Sequence, residues 1–230
     1  MQKKIANLRI LAQRAKEIGD YTGAANYYRQ ILMEKPNDWE GMFYESYCSM
    51  VDYSVASISA NANRLKLIFE KSYQGFLLSM ALQTSKDPSF DMTVPMKQLS
   101  RDMTTLLLAM KESAMKFHRE FSGTAAETEQ RLRALGTAAL GIGDVYYSHQ
   151  HKTLAANFYK LAQDLMNGVC NIGELAVYRI REVDPSFHLP QQESTAPVDW
   201  GAFFKYFFKW FGICFGIPWL IFMIYILLNQ

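Results

Sequence analysis

Residues 210–228 read WFGICFGIPWLIFMIYILL and carry no ionisable side chain other than Cys214 and Tyr225. At about 1.5 Å of rise per residue, a helix of roughly 19 residues crosses the ~30 Å hydrocarbon core of a bilayer. Within hydrocarbon only a helix satisfies all of its own backbone donors and acceptors in a single segment. The competing explanation is a buried apolar hairpin of the folded body. That hairpin would need cover on every side, because the segment has no polar face. The expectation is one C-terminal transmembrane helix over 210–228.

The flanks predict its orientation. Lys205 and Lys209 precede the span beside Trp210, and only Asn229 and Gln230 follow it. Positive-inside logic places the preceding body in the cytoplasm, as a single-pass protein anchored by its C-terminus. Residues 201–209 read as an amphipathic juxtamembrane segment, in which Phe203, Phe204, Phe207 and Phe208 enter the headgroup boundary while the two lysines snorkel outward. Gly212 and Gly216 form a G-x-x-x-G spacing that permits close approach of two membrane helices, hence a homodimer through the span. Residues 185–200, with Pro185, Pro190 and Pro197, read as an extended linker. The N-terminal stretch is broken by Arg9, Gln13, Arg14 and Lys16, so it lacks a signal-peptide core.

Charge then describes the body. The chain has 24 basic and 22 acidic side chains. Removing Lys205 and Lys209 leaves 24 − 2 = 22 basic groups against the same 22 acids over residues 1–200. A neutral body without a lysine or arginine run argues against nucleic acid as a partner. With 50% hydrophobic residues the chain has enough apolar material to exclude wholesale disorder. Cys48, Cys170 and Cys214 are odd in number and far apart, which offers neither a zinc spacing nor a disulfide framework.

Residues 1–184 are predicted to be all-α. An amphipathic run with Leu8, Leu11, Ala12 and Ala15 breaks at Gly19-Asp20, resumes with Tyr21, Ala24, Tyr28, Ile31 and Leu32, and stops at Pro36. Asn37 or Asp38 can cap a further helix from Trp39. A long helix follows over about 54–83, another from about Pro95 to Phe121, and a last set from Thr124 to Val183. The stretch KEIGDYTGAANYYRQILMEKPND, with Gly19, Tyr21, Ala24, Tyr28 and Pro36, resembles the tetratricopeptide (TPR) repeat. A second stretch, LGIGDVYYSHQHKTLAANFYKLAQDL, resembles it through Ile142-Gly143, Tyr146, Ala155, Tyr159 and Ala162. The resemblance implies TPR-like antiparallel helical hairpins separated by a divergent central helical insertion. Leu8 and Leu11-Ala12 stand where the repeat consensus has other residues.

Enzymatic chemistry has little to recommend it. His149 and His151 form an H-x-H pair without an evident third ligand, and on a helix they would point to different faces. No nucleophile elbow, metalloprotease or phosphate-loop motif occurs, so neither a catalytic site nor a cofactor is expected. The TPR resemblance implies instead an inner face that takes up a peptide, carried over here to Arg9, Gln13 and Lys16, then Tyr44 and Tyr47, then Asp144 and Tyr147. A solvated polar face is the plainer reading of the same residues. The expected function is a membrane-anchored adaptor or scaffold that binds a protein partner at the cytoplasmic face. The alternative is a tail-anchored fission or trafficking factor, since the same architecture resembles the mitochondrial fission adaptor family. The long body and the lack of basic residues after Leu228 argue against that alternative.

Overall fold

The computed structural model describes residues 2–121, 123–166 and 172–187. The predicted span over 210–228, the segment 201–209, most of the stretch 185–200, and with them Lys205, Lys209, Trp210, Gly212 and Gly216 lie outside the described residues. Among the described residues no helix is long and apolar enough to cross a membrane.

Eight α-helices and no strand make up the described chain: α1 (Gln2–Glu17), α2 (Tyr21–Glu34), α3 (Trp39–Val51), α4 (Ile58–Lys86), α5 (Thr93–Glu120), α6 (Ala125–Ser148), α7 (Lys152–Met166) and α8 (Ile172–Val183). One 3₁₀ turn, Val55–Ser57, leads into α4. Residues 1–187 form one compact unit around a single contiguous apolar core.

Local chemistry sets the helix boundaries. Gly19 adopts φ +82°, a left-handed conformation that ends α1 at low steric cost. Asp20 then caps α2 by accepting from the Gly23 N–H at 2.8 Å. Asp38 caps α3 in the same way, accepting from the Gly41 N–H at 3.1 Å. Gln150, at φ 66°, turns the chain between α6 and α7. The break at Pro88 separates α4 from α5, while Pro95 is tolerated in the first turn of α5, where its missing N–H would have no partner.

Packing follows the chain from α1 to α4, passes to α6, and continues through α7 to α8. The seams use small residues where the sequence has them. A Cβ at Gly143 would lie 2.5 Å from the Tyr159 ring, and one at Gly75 would lie 2.9 Å from the Trp39 Cβ. Gly136 faces Met166 and Gly141 faces Lys66 at similarly close approach.

The helix α5 is the exception to the sequential order. It packs on α6 and, more lightly, on α7, α4 and the 3₁₀ turn. Its buried stripe is Met96, Leu99, Met103, Leu106, Met110 and Ala114, with Leu107 beside it. Because one helix intervenes between α4 and α6, those two neighbours run in the same direction. Lys66 meets Gly141, Phe69 meets Tyr146 and Tyr73 meets His149, so both residue numbers rise together. A regular stack of hairpins would reverse direction at each step, and the α4–α6 pair does not.

Gly143→Ala tests the tightest seam. Alanine gains about 1 kcal/mol of helix propensity over glycine. The added methyl, however, comes within 2.5 Å of the fully buried Tyr159 ring, which would have to shift. Overpacking of this kind costs about 1–3 kcal/mol, so a net loss of about 1 kcal/mol is expected in urea denaturation. A gain in stability would show that α6 and α7 are less closely packed than described.

Candidate functional site

The residues expected to line a binding face divide into three groups. Lys16, Tyr44 and Tyr47 come together, but around a helix of the same chain. The Asp102 carboxylate of α5 accepts from Tyr44 Oη at 3.0 Å, Lys16 Nζ at 3.3 Å and Gln98 Nε2 at 2.7 Å. Lys16 Nζ also lies 3.9 Å from the centre of the Tyr44 ring, a cation–π contact. Tyr44 and Tyr47 are buried, and burial together with Asp102 raises both phenols above the usual tyrosine range. Those three positions therefore form an internal seam and not an open groove, because α5 occupies the surface that a peptide would need.

Arg9 sits about 10 Å along α1 from Lys16, at seven residues of helical rise. Its Nη2 donates to Asp38 Oδ2 at 2.6 Å, and its Nε lies 2.7 Å from Glu40 Oε2, though without hydrogen-bond geometry there. Asp38 is fully buried and also accepts from Lys35 Nζ at 3.0 Å. Burial alone would raise the Asp38 pKa; the Gly41 N–H, Lys35 and Arg9 outweigh it and hold the carboxyl below the ordinary aspartate range. For Glu40 the balance is reversed, and burial raises its pKa despite Arg9.

Asp144 and Tyr147 stand apart on α6. Asp144 accepts from Tyr159 Oη at 2.8 Å and lies 3.5 Å from Arg179 Nε, which joins α6, α7 and α8. Tyr147 is exposed. Gln13 is exposed too and donates to Glu17 within its own helix. The structure thus brings Lys16 and Tyr44 together, places Arg9 in a neighbouring cluster, and leaves Gln13, Asp144 and Tyr147 elsewhere. Asp102, the residue that organises the inner seam, has no sequence signal beyond a polar position at the edge of an amphipathic helix.

An open cleft of about 340 Å³ lies beside Arg9 between the start of α3 and the last turns of α4. Trp39 and Gly75 line it together with Leu78 and Leu82, which supply apolar side chains, and Lys35 and Lys86 contribute cations. Leu78 and Leu82 are both more than half exposed. Buried Asp38 reaches the lining, but its three donors already satisfy it.

The histidine pair packs against aromatic rings. His149 meets Tyr73 at 5.2 Å and His151 meets it at 6.4 Å, both edge-on. Burial and the neighbouring His149 lower the His151 pKa. Among the described residues no group of three or more His, Cys, Asp or Glu could hold a metal ion. The Cys48 thiol is buried and pushed up to about 12 by desolvation, so it is a poor nucleophile at neutral pH. No family model, curated protein or solved structure matches the chain.

Asp38→Asn isolates the charge in the α3 cap, since the amide oxygen can still accept from Gly41. A buried ion pair that loses one partner costs about 3–5 kcal/mol, and because Arg9 keeps Glu40 a loss near the lower figure is expected at pH 7. A depressed carboxyl pKa stabilises the fold above the unfolded-state value near 4, and that contribution fades as pH falls through the folded-state value. The gap between wild type and variant should therefore narrow on acidification to about pH 3. A gap independent of pH in chemical denaturation would contradict the ionised assignment of Asp38.

Proposed function

We propose that the chain is a membrane-anchored helical adaptor, non-catalytic, whose body presents a protein-binding surface at the cytoplasmic face of a bilayer. The observation that carries this reading is the uncharged segment 210–228, with Lys205 and Lys209 at its start, joined to a helical body by a proline-containing stretch. The TPR-like hairpins of the sequence support the adaptor part. Gly19 sits at a turn, Tyr28, Tyr146 and Tyr159 are buried and Gly143 lies against Tyr159, positions that any packed helical hairpin uses as well.

The body also favours a particular docking place. The inner seam at Lys16, Tyr44 and Tyr47 is filled by α5, so a partner peptide is better received by the open cleft of Trp39, Leu78 and Leu82. Its exposed apolar side chains and flanking Lys35 and Lys86 suit a segment that carries an apolar side chain beside an acid.

The anchor is tested by carbonate extraction of membranes from cells that express the full chain or residues 1–187. The full chain is expected in the carbonate-resistant pellet and the truncated chain in the supernatant. Full chain released by carbonate would sink the anchor. For the cleft, the crosslinked species of the wild type are compared with those of Leu78→Asp/Leu82→Asp, and an unchanged set would remove the docking assignment.

A further inference from the structure

The outer face of α1 combines two features that the α1–α4 packing does not use. Ile10 is 51% exposed, Leu11 41% and Ile18, in the turn just after the helix, 81%. They alternate with cations at helical spacing, so that Lys3, Asn7, Ile10 and Arg14 make one stripe and Lys4, Asn7, Leu11, Arg14 and Ile18 an overlapping one. The first stripe ends on Glu17, which accepts from Gln13 at 3.0 Å, and the second contains no acid. The buried face of the same helix is Ile5, Leu8, Ala12 and Ala15, and the acid-paired side carries Arg9 and Lys16. Lys4 is tied to Glu34 but remains largely exposed. Lys3 and Arg14, both exposed, belong to none of the ion pairs among the described residues.

We infer that this face is a peripheral contact for a membrane surface rich in anionic headgroups. The three aliphatic side chains enter the boundary between headgroups and acyl chains, and Lys3, Lys4 and Arg14 meet the phosphates. Charge decides between this occupant and a second copy of the chain. A twofold pairing of α1 with itself would set Lys3 and Arg14 of one protomer close to the same cations of the other. The spread of Ile10, Leu11 and Ile18 over about 12 Å of helix fits a continuous surface better than a single peptide pocket. The inference rests on the anchor reading only for the nearness of a bilayer, and its test does not need the anchor.

Residues 1–187 hold the whole described core and form one compact unit, so they serve as the body for the test. Co-sedimentation compares vesicles of phosphatidylcholine alone with vesicles that contain about 30 mol % phosphatidylserine. The body is expected to bind the anionic vesicles at least about tenfold more tightly, and to release as salt rises from about 50 to 500 mM. Lys3→Glu/Arg14→Glu should abolish that preference, and Ile10→Ser/Ile18→Ser should weaken binding to the same vesicles, with helical content and melting temperature unchanged. Equal binding to both vesicle types, no binding, or unaltered binding by the charge-reversed variant would overturn the inference. So would a dimer in sedimentation velocity that the charge reversal dissociates, because the face would then belong to a second copy. Carbonate strips peripheral electrostatic contacts, so a failed vesicle assay and a failed carbonate extraction are distinguishable.

Discussion

Tyr146 is the point at which four of the eight described helices meet. Its side chain is fully buried on α6, with its ring 5.2 Å from Phe69 and 5.3 Å from Tyr73 of α4, and 5.6 Å from Phe158 of α7. Its hydroxyl shares a hydrogen bond of 2.7 Å with Ser100 of α5. Four helices therefore have their spacing set around one aromatic residue, whose polar tip is satisfied where an unpaired hydroxyl would be costly. Burial raises the Tyr146 phenol above its ordinary range, and the Ser100 contact opposes that in part.

Around this centre α5 has a double role. Its methionine-rich stripe completes the core, with Met96, Met103 and Met110 at seven-residue spacing. Its Asp102 reaches the other way, to Lys16 on α1 and Tyr44 on α3. Partly buried ion pairs such as Lys16 with Asp102 resist solvent screening better than the exposed pair of Lys4 with Glu34, so the former are the ones that lock helix positions. The Lys16 and Tyr44 side chains are thereby taken up in contacts within the body. Among the exposed positions are the cleft between α3 and α4 and the outer face of α1.

The helices themselves were largely legible in the sequence. The Gly19-Asp20 break, the Asp38 cap and the break before Pro95 each act locally, through conformational preference or a cap within three residues. The contacts of the residues expected on a binding face were not legible. Arg9, Lys16 and Tyr44 look like free polar positions on helix faces because nothing nearby in sequence pairs with them. Their partners lie 29 residues away at Asp38 and 86 and 58 residues away at Asp102.

The sequence by itself determined which segments are helical, several of the breaks between them, and that one uncharged stretch of about 19 residues stands apart from a neutral body. Those properties depend on residues within a turn or two of one another. Tertiary structure alone decided that α5 fills the inner seam, that α4 and α6 run in the same direction, and which cations stay unpaired. Each of these depends on which distant side chains become neighbours, and burial then converts a shared carboxylate such as Asp38 or Asp102 from a solvated charge into a fixed link between helices.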